Sequence, residues 1–312
     1  MLSAKIGFAN AYLIETGPTI YLLFPFAASL LFTFGALFLK RATGSGINAW
    51  SSIFLANSLA AIFFSGFLLL GGEWPGIDYL WQPAVIALLY ITGQSLILTS
   101  VSVGDVSVAT PVASLKVIVV AFLMTITSHS TPPNAIWLAA LLAASGVFLI
   151  NYFVPKQGRS NVLVTACLAF SGACCFAFFD LCVQSFTPHW GTGYLATVSF
   201  WFVGIFSLGF LKVATPLSEL RQKRWKSLSL GSLLVAIQAS LLVYSVSTFA
   251  RADTINVIYS LRGLWGVIFA WMLASYFGGN ELSMPRKTMY IRLAGASLLV
   301  LAVIITIIAE SS

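Results

Sequence analysis

Hydrophobic residues fill the chain in runs of about 20, and short polar stretches separate the runs. An α-helix needs about 20 apolar residues to cross the hydrocarbon core of a bilayer, whereas a membrane β-strand alternates polar and apolar residues over about ten positions. The pattern therefore predicts transmembrane helices and not a β-barrel. We expect ten of them, at residues 19–39, 48–71, 80–102, 106–127, 134–154, 161–186, 192–213, 228–250, 252–277 and 289–309.

The composition supports the same fold class. Hydrophobic residues make up 59% of the chain and charged residues only 8%, whereas about a quarter of the residues in a soluble domain are charged. We expect an all-α integral membrane protein, with residues 1–18 as an N-terminal segment outside the membrane.

The basic residues predict an orientation. They cluster in the connections that follow the odd-numbered helices, whereas the connections after the even-numbered helices hold little beyond Arg251. Because Lys and Arg are enriched in cytoplasmic loops, this distribution places the odd-numbered connections in the cytoplasm and both termini outside it. We expect a multi-pass protein of the cytoplasmic (inner) cell membrane. The clustered residues are Lys40, Arg41, Lys156, Arg159, Arg221, Lys223, Arg224, Lys226, Arg286 and Lys287.

A weak internal repeat relates the two halves of the chain. A shift of 146 positions lays residues 112–124 over residues 258–270, so that Ser114-Leu115-Lys116 matches Ser260-Leu261-Arg262. Each half, residues 19–154 and residues 161–309, holds five predicted helices. Since five is an odd number, the halves would have opposite orientations in the membrane. Inverted repeats of this kind are typical of secondary transporters, whose substrate sites lie between the repeats near the membrane midplane.

Two cations lie deep in the predicted helices. Lys116 and Arg262 each come about ten residues after the helix start, about 15 Å along the axis, which is the middle of a hydrocarbon core about 30 Å thick. A charge at that depth is costly and needs compensation. The sequence leaves two compensating groups open: an anionic substrate in a shared cavity, or an internal carboxylate, for which Asp180 is the leading candidate. Asp180 is equally a candidate coupling group for a proton.

Other polar and aromatic side chains share this depth or these helices. Asn256, Tyr259 and Arg262 follow one another at i, i+3 spacing, which places them on one helix face. Polar residues of this kind also serve as hydrogen bonds between membrane helices, so both interpretations stay open. The candidate substrate-binding residues, besides Lys116 and Arg262, are Tyr259, Asn256, Thr110, Gln94, Gln238, Trp201 and Asn57.

Enzymatic chemistry has little support in the sequence. The two histidines lack metal-ligand spacing, and no H-E-x-x-H, G-x-S-x-G or glycine-rich phosphate-binding motif is present. The net charge of +7 is spread over short loops and forms no basic tail, which argues against a nucleic-acid partner. We expect no catalytic residues, no cofactor and no metal site.

The chain resembles the drug/metabolite transporter superfamily, in particular its EamA-like members. The resemblance covers nearly the whole chain and rests on ten short-looped helices in two halves. Two local sequences carry it as well: Gly278-Gly279-Asn280-Glu281-Leu282-Ser283 before the last helix, and Leu293-Ala294-Gly295-Ala296 within that helix. The resemblance implies alternating access around a central cavity, lined mainly by the third, fourth, eighth and ninth helices.

These observations predict a secondary transporter for a small polar metabolite that is anionic or zwitterionic. No ATP-binding motif is present, so we expect gradient coupling, with a proton as the candidate coupling ion. The expected partners are a small-molecule substrate and the lipid bilayer, and the protein is a monomer or a homodimer. Two alternatives stay open: an exporter of hydrophobic or cationic compounds, and a scaffold or sensor in which the buried charges only lock helices together.

Overall fold

The computed structural model describes residues 20–104, 106–127, 132–151, 162–216, 219, 225–272 and 286–311, and every regular element in these ranges is helical. Short 3-10 turns, Ile20–Leu22, Gly66–Leu70, Ile77–Tyr79 and Leu208–Lys212, adjoin some of the α-helices. The predicted segment 1–18 and the Gly278–Ser283 turn lie outside the described residues. The α-helices are α1 Leu23–Thr43, α2 Ala49–Ser65, α3 Trp81–Val103, α4 Val106–Ser114, α5 Lys116–Thr127, α6 Asn134–Asn151, α7 Val162–Ser207, α8 Trp225–Phe249, α9 Ala252–Tyr259, α10 Arg262–Met272 and α11 Arg286–Ser311.

Eight helical stretches in the described ranges are long and apolar enough to cross a membrane. The prediction of an all-helical chain with many membrane spans is therefore confirmed. The eight are Ile20–Thr43, Ala49–Leu70, Ile77–Val103, Val108–Thr127, Asn134–Asn151, Val162–Lys212, Trp225–Phe249 and Tyr290–Glu310.

The long helix α7 folds back on itself at Gly191. Its backbone there has φ 75° and ψ 155°, a conformation that favours glycine. The rings of Phe179 and Phe200 both lie 5.2 Å from the ring of Tyr90, although in a straight helix they would be about 30 Å apart along the axis. Helix α7 is thus two limbs, residues 162–190 and 192–207, that pack on one tyrosine of α3. The loop predicted at residues 187–191 is reduced to this one non-helical glycine.

Helices α6 and α11 approach each other closely enough for their backbones to touch. A Cβ atom added to Gly146 would lie 2.7 Å from the carbonyl oxygen of Gly295, and one added to Gly295 would lie 2.6 Å from that of Gly146. Small residues permit such contacts between membrane helices, where packing and not hydrophobic burial drives association. Val257, Leu261 and Leu299 complete the buried core at this contact, which lies beside the cavity described below.

Two of the predicted helices are broken in the middle, which corrects the expectation of continuous helices at 106–127 and 252–277. The first divides at Leu115 into α4 and α5, and the second divides at Ser260-Leu261 into α9 and α10. Pro111 lies within α4, four residues before the break.

The same pattern of hydrogen bonds is present at both breaks. The Leu115 amide donates to the Val112 carbonyl at 3.1 Å, three residues back, and the Leu261 amide donates to the Ile258 carbonyl at 3.1 Å. In a regular helix these amides would reach the carbonyls of Pro111 and Val257, four residues back. The hydroxyls of Ser114 and Ser260 donate to those two carbonyls instead, each at 2.6 Å. A serine hydroxyl that bonds its own helix in this way bends the helix.

Candidate functional site: a cavity at two broken helices

A cavity of about 460 Å³ lies where the two broken helices meet. Lys116 and Arg262, the first residues of α5 and α10, both line it. Apolar side chains of α1, α3 and α6 form much of the remaining wall, so the cavity combines a hydrocarbon surface with a few polar groups, as small-molecule sites usually do. The polar lining residues are Thr110, Ser114, Lys116, Asn151, Asn256, Tyr259, Ser260, Arg262 and Arg292.

Lys116 is paired with a buried carboxylate. Its Nζ lies 2.8 Å from Asp180 Oδ2, and the two side chains are 15% and 7% exposed. Asn256 Nδ2 donates to the same carboxylate oxygen at 2.6 Å and also to the Ala252 carbonyl at 2.7 Å. Asp180 therefore joins α5, α7 and α9 at one point. The internal ion pair that the sequence left open is present, and it involves Lys116.

Arg262 has a different environment. Its guanidinium carbon lies 5.1 Å from the ring centre of Phe32 and 4.6 Å from that of Tyr259, within the range of a cation–π interaction. Among the described residues, no aspartate or glutamate forms an ion pair with it. Its positive charge thus faces the cavity without a neutralising carboxylate.

Helix α1 fixes the start of α10 and with it the position of Arg262. The Thr33 hydroxyl donates to the Arg262 carbonyl at 3.3 Å, and the Trp265 indole donates to the Ser29 hydroxyl at 3.0 Å. The N-termini of α5 and α10 both lie at the cavity, and a helix N-terminus carries a partial positive charge that favours anions. The local field is therefore suited to a negatively charged group.

The other predicted site residues separate into two groups. Thr110, Asn256 and Tyr259 line the cavity with the two cations. Asn57 and Gln94 form a pair of reciprocal amide hydrogen bonds at 3.0 and 3.2 Å away from the cavity lining, and Asn57 also donates to Ser207 at 2.8 Å.

Two further predicted residues lie outside the lining. Gln238 is buried within α8. Trp201 is 45% exposed and donates through its indole N–H to the Ser65 hydroxyl at 2.9 Å, on the outer side of α7. Its position is typical of helix–helix contact and of lipid-facing surface.

Sequence reasoning missed several lining residues. Arg292 lies near the start of the tenth predicted helix, where a basic residue is ordinarily assigned to the membrane interface, and Asn151 lies near the end of the fifth. Phe32 belongs to a predicted span in which most residues are apolar, so no local signal marks it. Ser114 belongs to the sequence repeat, but its hydrogen bond at the helix break is visible only in the structure.

The first half of the chain matches a known family. Residues 19–152 match the model of the EamA-like transporter family. No curated protein matches the sequence. A solved structure described only as "Crystal structure of protein" has a TM-score of 0.70 and 14% sequence identity, over 93% of this chain and 99% of that one. At this identity the likeness shows a similar fold alone.

Proposed function

We propose that the chain is an EamA-like member of the drug/metabolite transporter superfamily, as the match of residues 19–152 supports, and that it is a secondary transporter for a small anionic or zwitterionic metabolite. Members of this family are multi-pass membrane transporters. The observation that carries the proposed substrate class is the unneutralised guanidinium of Arg262 in a cavity formed by two broken helices.

Arg262 is the primary anchor for the substrate in this proposal. A guanidinium presents two parallel N–H groups to a carboxylate or phosphate, and such a charge-assisted pair is stronger where water is excluded. The rings of Phe32 and Tyr259 hold the guanidinium in place, so little side-chain freedom remains to be lost on binding. Asn256, Tyr259 and Thr110 supply polar contacts beside it.

Lys116 is the second cation, and Asp180 is its counter-charge within the protein. An anionic substrate offers Lys116 an alternative partner to Asp180, so binding weakens the contact that joins α5 to α7. A ligand changes a conformational equilibrium only through different affinity for the two states. Exchange of partners at Lys116 is such a difference, and it links substrate binding to helix movement.

Alternating access fits an inverted pair of five-helix halves, residues 19–154 and 161–309. Eight stretches satisfy the length and hydropathy of a span; the second limb of α7 supplies a ninth, and α9 with α10 supplies a tenth. The matching breaks before Lys116 and Arg262 support the repeat, since broken helices at corresponding positions of two halves are typical of transporter binding sites.

The two alternatives make different use of Asp180. An exporter of cations needs an accessible carboxylate in the cavity, whereas Asp180 is only 5% exposed and already binds Lys116 and Asn256. A scaffold or sensor with a structural lock is favoured by one observation, the Lys116–Asp180 pair itself. It does not account for Arg262, which has no carboxylate partner among the described residues.

A ligand panel sorted by charge tests the proposal. The purified protein in detergent is heated with carboxylates, phosphate monoesters, zwitterionic amino acids and quaternary ammonium ions, and the hits are tested for uptake into proteoliposomes. We expect anions or zwitterions to stabilise the protein. This stabilisation should be lost in Arg262→Ala and reduced in Arg262→Lys, because lysine keeps the charge but cannot form the bidentate hydrogen bonds. Lys40→Ala, an exposed cation at the end of α1, is the matched control.

Two outcomes would contradict the proposal. Stabilisation by quaternary ammonium ions alone would favour the cation exporter. Unchanged anion binding in both Arg262→Ala and Lys116→Ala, with both variants folded, would remove the assigned site altogether.

A further inference from the structure

A second polar cluster lies at one end of the bundle, away from the cavity lining. It contains Arg251, Asp253 and Thr254 at the start of α9, Glu310 near the end of α11, and Tyr21 just before α1. Glu310 Oε1 accepts a hydrogen bond from Thr254 Oγ1 at 2.8 Å and pairs with Arg251 Nη1 at 3.2 Å. The cluster thus connects the first, ninth and tenth predicted spans on one side of the membrane.

The cluster contains two buried oxygen atoms without partners. Asp253 is 6% exposed and Tyr21 is 4% exposed. Asp253 Oδ1 and the Tyr21 hydroxyl are both fully buried, and neither has a hydrogen-bond partner of good geometry among the described residues. The hydroxyl is nevertheless close enough to the Glu310 carboxylate for a weak hydrogen bond, and it lies near the carboxylate of Asp253. A buried polar atom without a partner costs about 1–3 kcal/mol, and a bound water or ion is one of the features that satisfies such atoms in folded proteins.

The charges of the cluster do not balance. Asp253 and Glu310 are two carboxylates in a mostly apolar surrounding, and Glu310 is only 7% exposed. Among the described residues, Arg251 is the single cation that pairs with them, and its side chain is 54% exposed. With both carboxylates ionised, these described groups leave one negative charge, which one monovalent cation would neutralise.

We propose that Asp253, Glu310 and Tyr21 form a binding site for a monovalent metal cation such as Na⁺. The donors are all oxygen atoms, which suit a hard cation and not a transition metal. A charge deficit of one selects a monovalent over a divalent ion. Asp253 Oδ1 and the Tyr21 hydroxyl oxygen can each donate a lone pair to one cation. Protonation of a single carboxyl group would remove the excess charge, but it would not give both oxygens a partner.

The backbone at this point is strained. Ala250, the residue between α8 and Arg251, has φ 53°, in the left-handed region that non-glycine residues rarely adopt. Strain of this kind is often retained next to functional sites. Here it sets the sharp connection that brings the start of α9 against the end of α11.

Helix α9 connects the cation site to the cavity. Asp253, Asn256 and Tyr259 follow at i, i+3 spacing on this short helix, and Asn256 binds Asp180 while Tyr259 contacts Arg262. Occupation of the cation site would therefore fix the helix that carries Asn256 and Tyr259, two of the nine polar residues that line the cavity. A role for the ion in coupling rests on the transport function proposed above, whereas binding of the ion does not.

The test measures binding of Na⁺ to the purified protein without any transport substrate. Thermal unfolding is followed in choline chloride and in increasing NaCl at constant ionic strength, and bound ²²Na⁺ is measured by equilibrium dialysis. We expect Na⁺ to raise the unfolding temperature by about 2 °C or more. The effect should be lost in Asp253→Asn and weakened several-fold in Tyr21→Phe.

Matched variants keep the result interpretable. Tyr21→Phe removes one oxygen and retains the ring contact with Phe249, 5.1 Å between centroids, so it stays informative where Asp253→Asn fails to fold. Asp78→Asn removes an exposed carboxylate elsewhere and should leave the Na⁺ response unchanged.

Two results would overturn the site: equal stability of the wild type in Na⁺ and choline, or a Na⁺ effect that survives in both cluster variants. Arg262→Ala separates this proposal from the proposed transport function. It should retain the Na⁺ response while it loses the response to anions.

Discussion

Lys116 Nζ lies 2.8 Å from Asp180 Oδ2, whereas Arg262, at the corresponding position of the second half, stacks on Phe32 and Tyr259. Two cations that occupy matching places in the sequence thus have different partners. One is neutralised within the protein, and the other has no carboxylate partner among the described residues. Because their partners differ, substitutions at the two cations should have different effects on stability and on ligand binding.

Asp180→Asn should destabilise the protein strongly. The substitution leaves the Lys116 ammonium in a largely buried site without its counter-charge, and removal of one partner of a buried ion pair costs about 3–5 kcal/mol. Thermal or denaturant unfolding of the purified protein measures the loss. The double variant Asp180→Asn, Lys116→Met should recover most of it, because no uncompensated charge then remains.

The matched control for this prediction is Asp78→Asn, which changes an exposed carboxylate in the connection before α3 and should alter the unfolding temperature little. A double variant that is no more stable than Asp180→Asn alone would show that the carboxylate acts through Asn256 and not through Lys116.

The helical spans were predictable because their signal is local. Runs of apolar residues with polar ends, such as 80–102 and 134–154, need no knowledge of neighbours, and the structure places α3 and α6 there. Gly191 lies in the predicted connection between the spans 161–186 and 192–213. That it forms a turn of a single residue is visible only in the structure, where both limbs of α7 contact Tyr90.

The composition of the site was less predictable because it depends on which helices face each other. The repeat associates Lys116 with Arg262, and both line the cavity. No pattern along the chain reveals that Asp180 pairs with Lys116, that Asn57 and Gln94 bind each other, or that Trp201 faces outward. These outcomes follow from helix rotation and packing, which sequence periodicity defines poorly when nearly every face is apolar.

Replacement of either helix-breaking serine by alanine should straighten its helix. Without the hydroxyl of Ser114, the Pro111 carbonyl becomes free for the Leu115 amide. Without the hydroxyl of Ser260, the Val257 carbonyl keeps the Ser260 amide as a donor and gains a free lone pair for the Leu261 amide. We expect slower amide exchange at Leu115 or Leu261, weaker ligand binding, and a change in stability of only about 1 kcal/mol. Hydrogen exchange with mass spectrometry measures the first effect.

Threonine at either position keeps the hydroxyl and should preserve the exchange rate. Ser297→Ala in α11 removes an exposed hydroxyl that bonds the Leu293 carbonyl at 3.0 Å in an unbroken helix, and it should leave exchange at both breaks unaltered. Unchanged exchange in the Ser114→Ala and Ser260→Ala variants would mean that tertiary packing alone imposes the breaks.

Alanine at Gly146 or Gly295 should separate α6 from α11. Each new Cβ would approach a backbone oxygen to 2.7 or 2.6 Å, so the helices must move apart, at a cost of about 1–3 kcal/mol. The two substitutions act on one contact, so the double variant should lose less stability than the two single variants lose together. Gly209→Ala, where a Cβ would meet nothing within 4 Å, is the control for thermal unfolding.

Labelling from each side of the membrane should place Lys40 in the cytoplasm and Asp78 outside. Both residues are exposed, and α2 lies between them in the chain. Each is replaced by cysteine in a background without Cys167, Cys174, Cys175 and Cys182, and intact cells are treated with a membrane-impermeant maleimide. The distribution of basic residues predicts that the cysteine at 78 reacts at once and the cysteine at 40 only after permeabilisation. The reverse pattern would place both ends of the predicted ten-span chain in the cytoplasm and move the Asp253–Glu310 cluster to the cytoplasmic side.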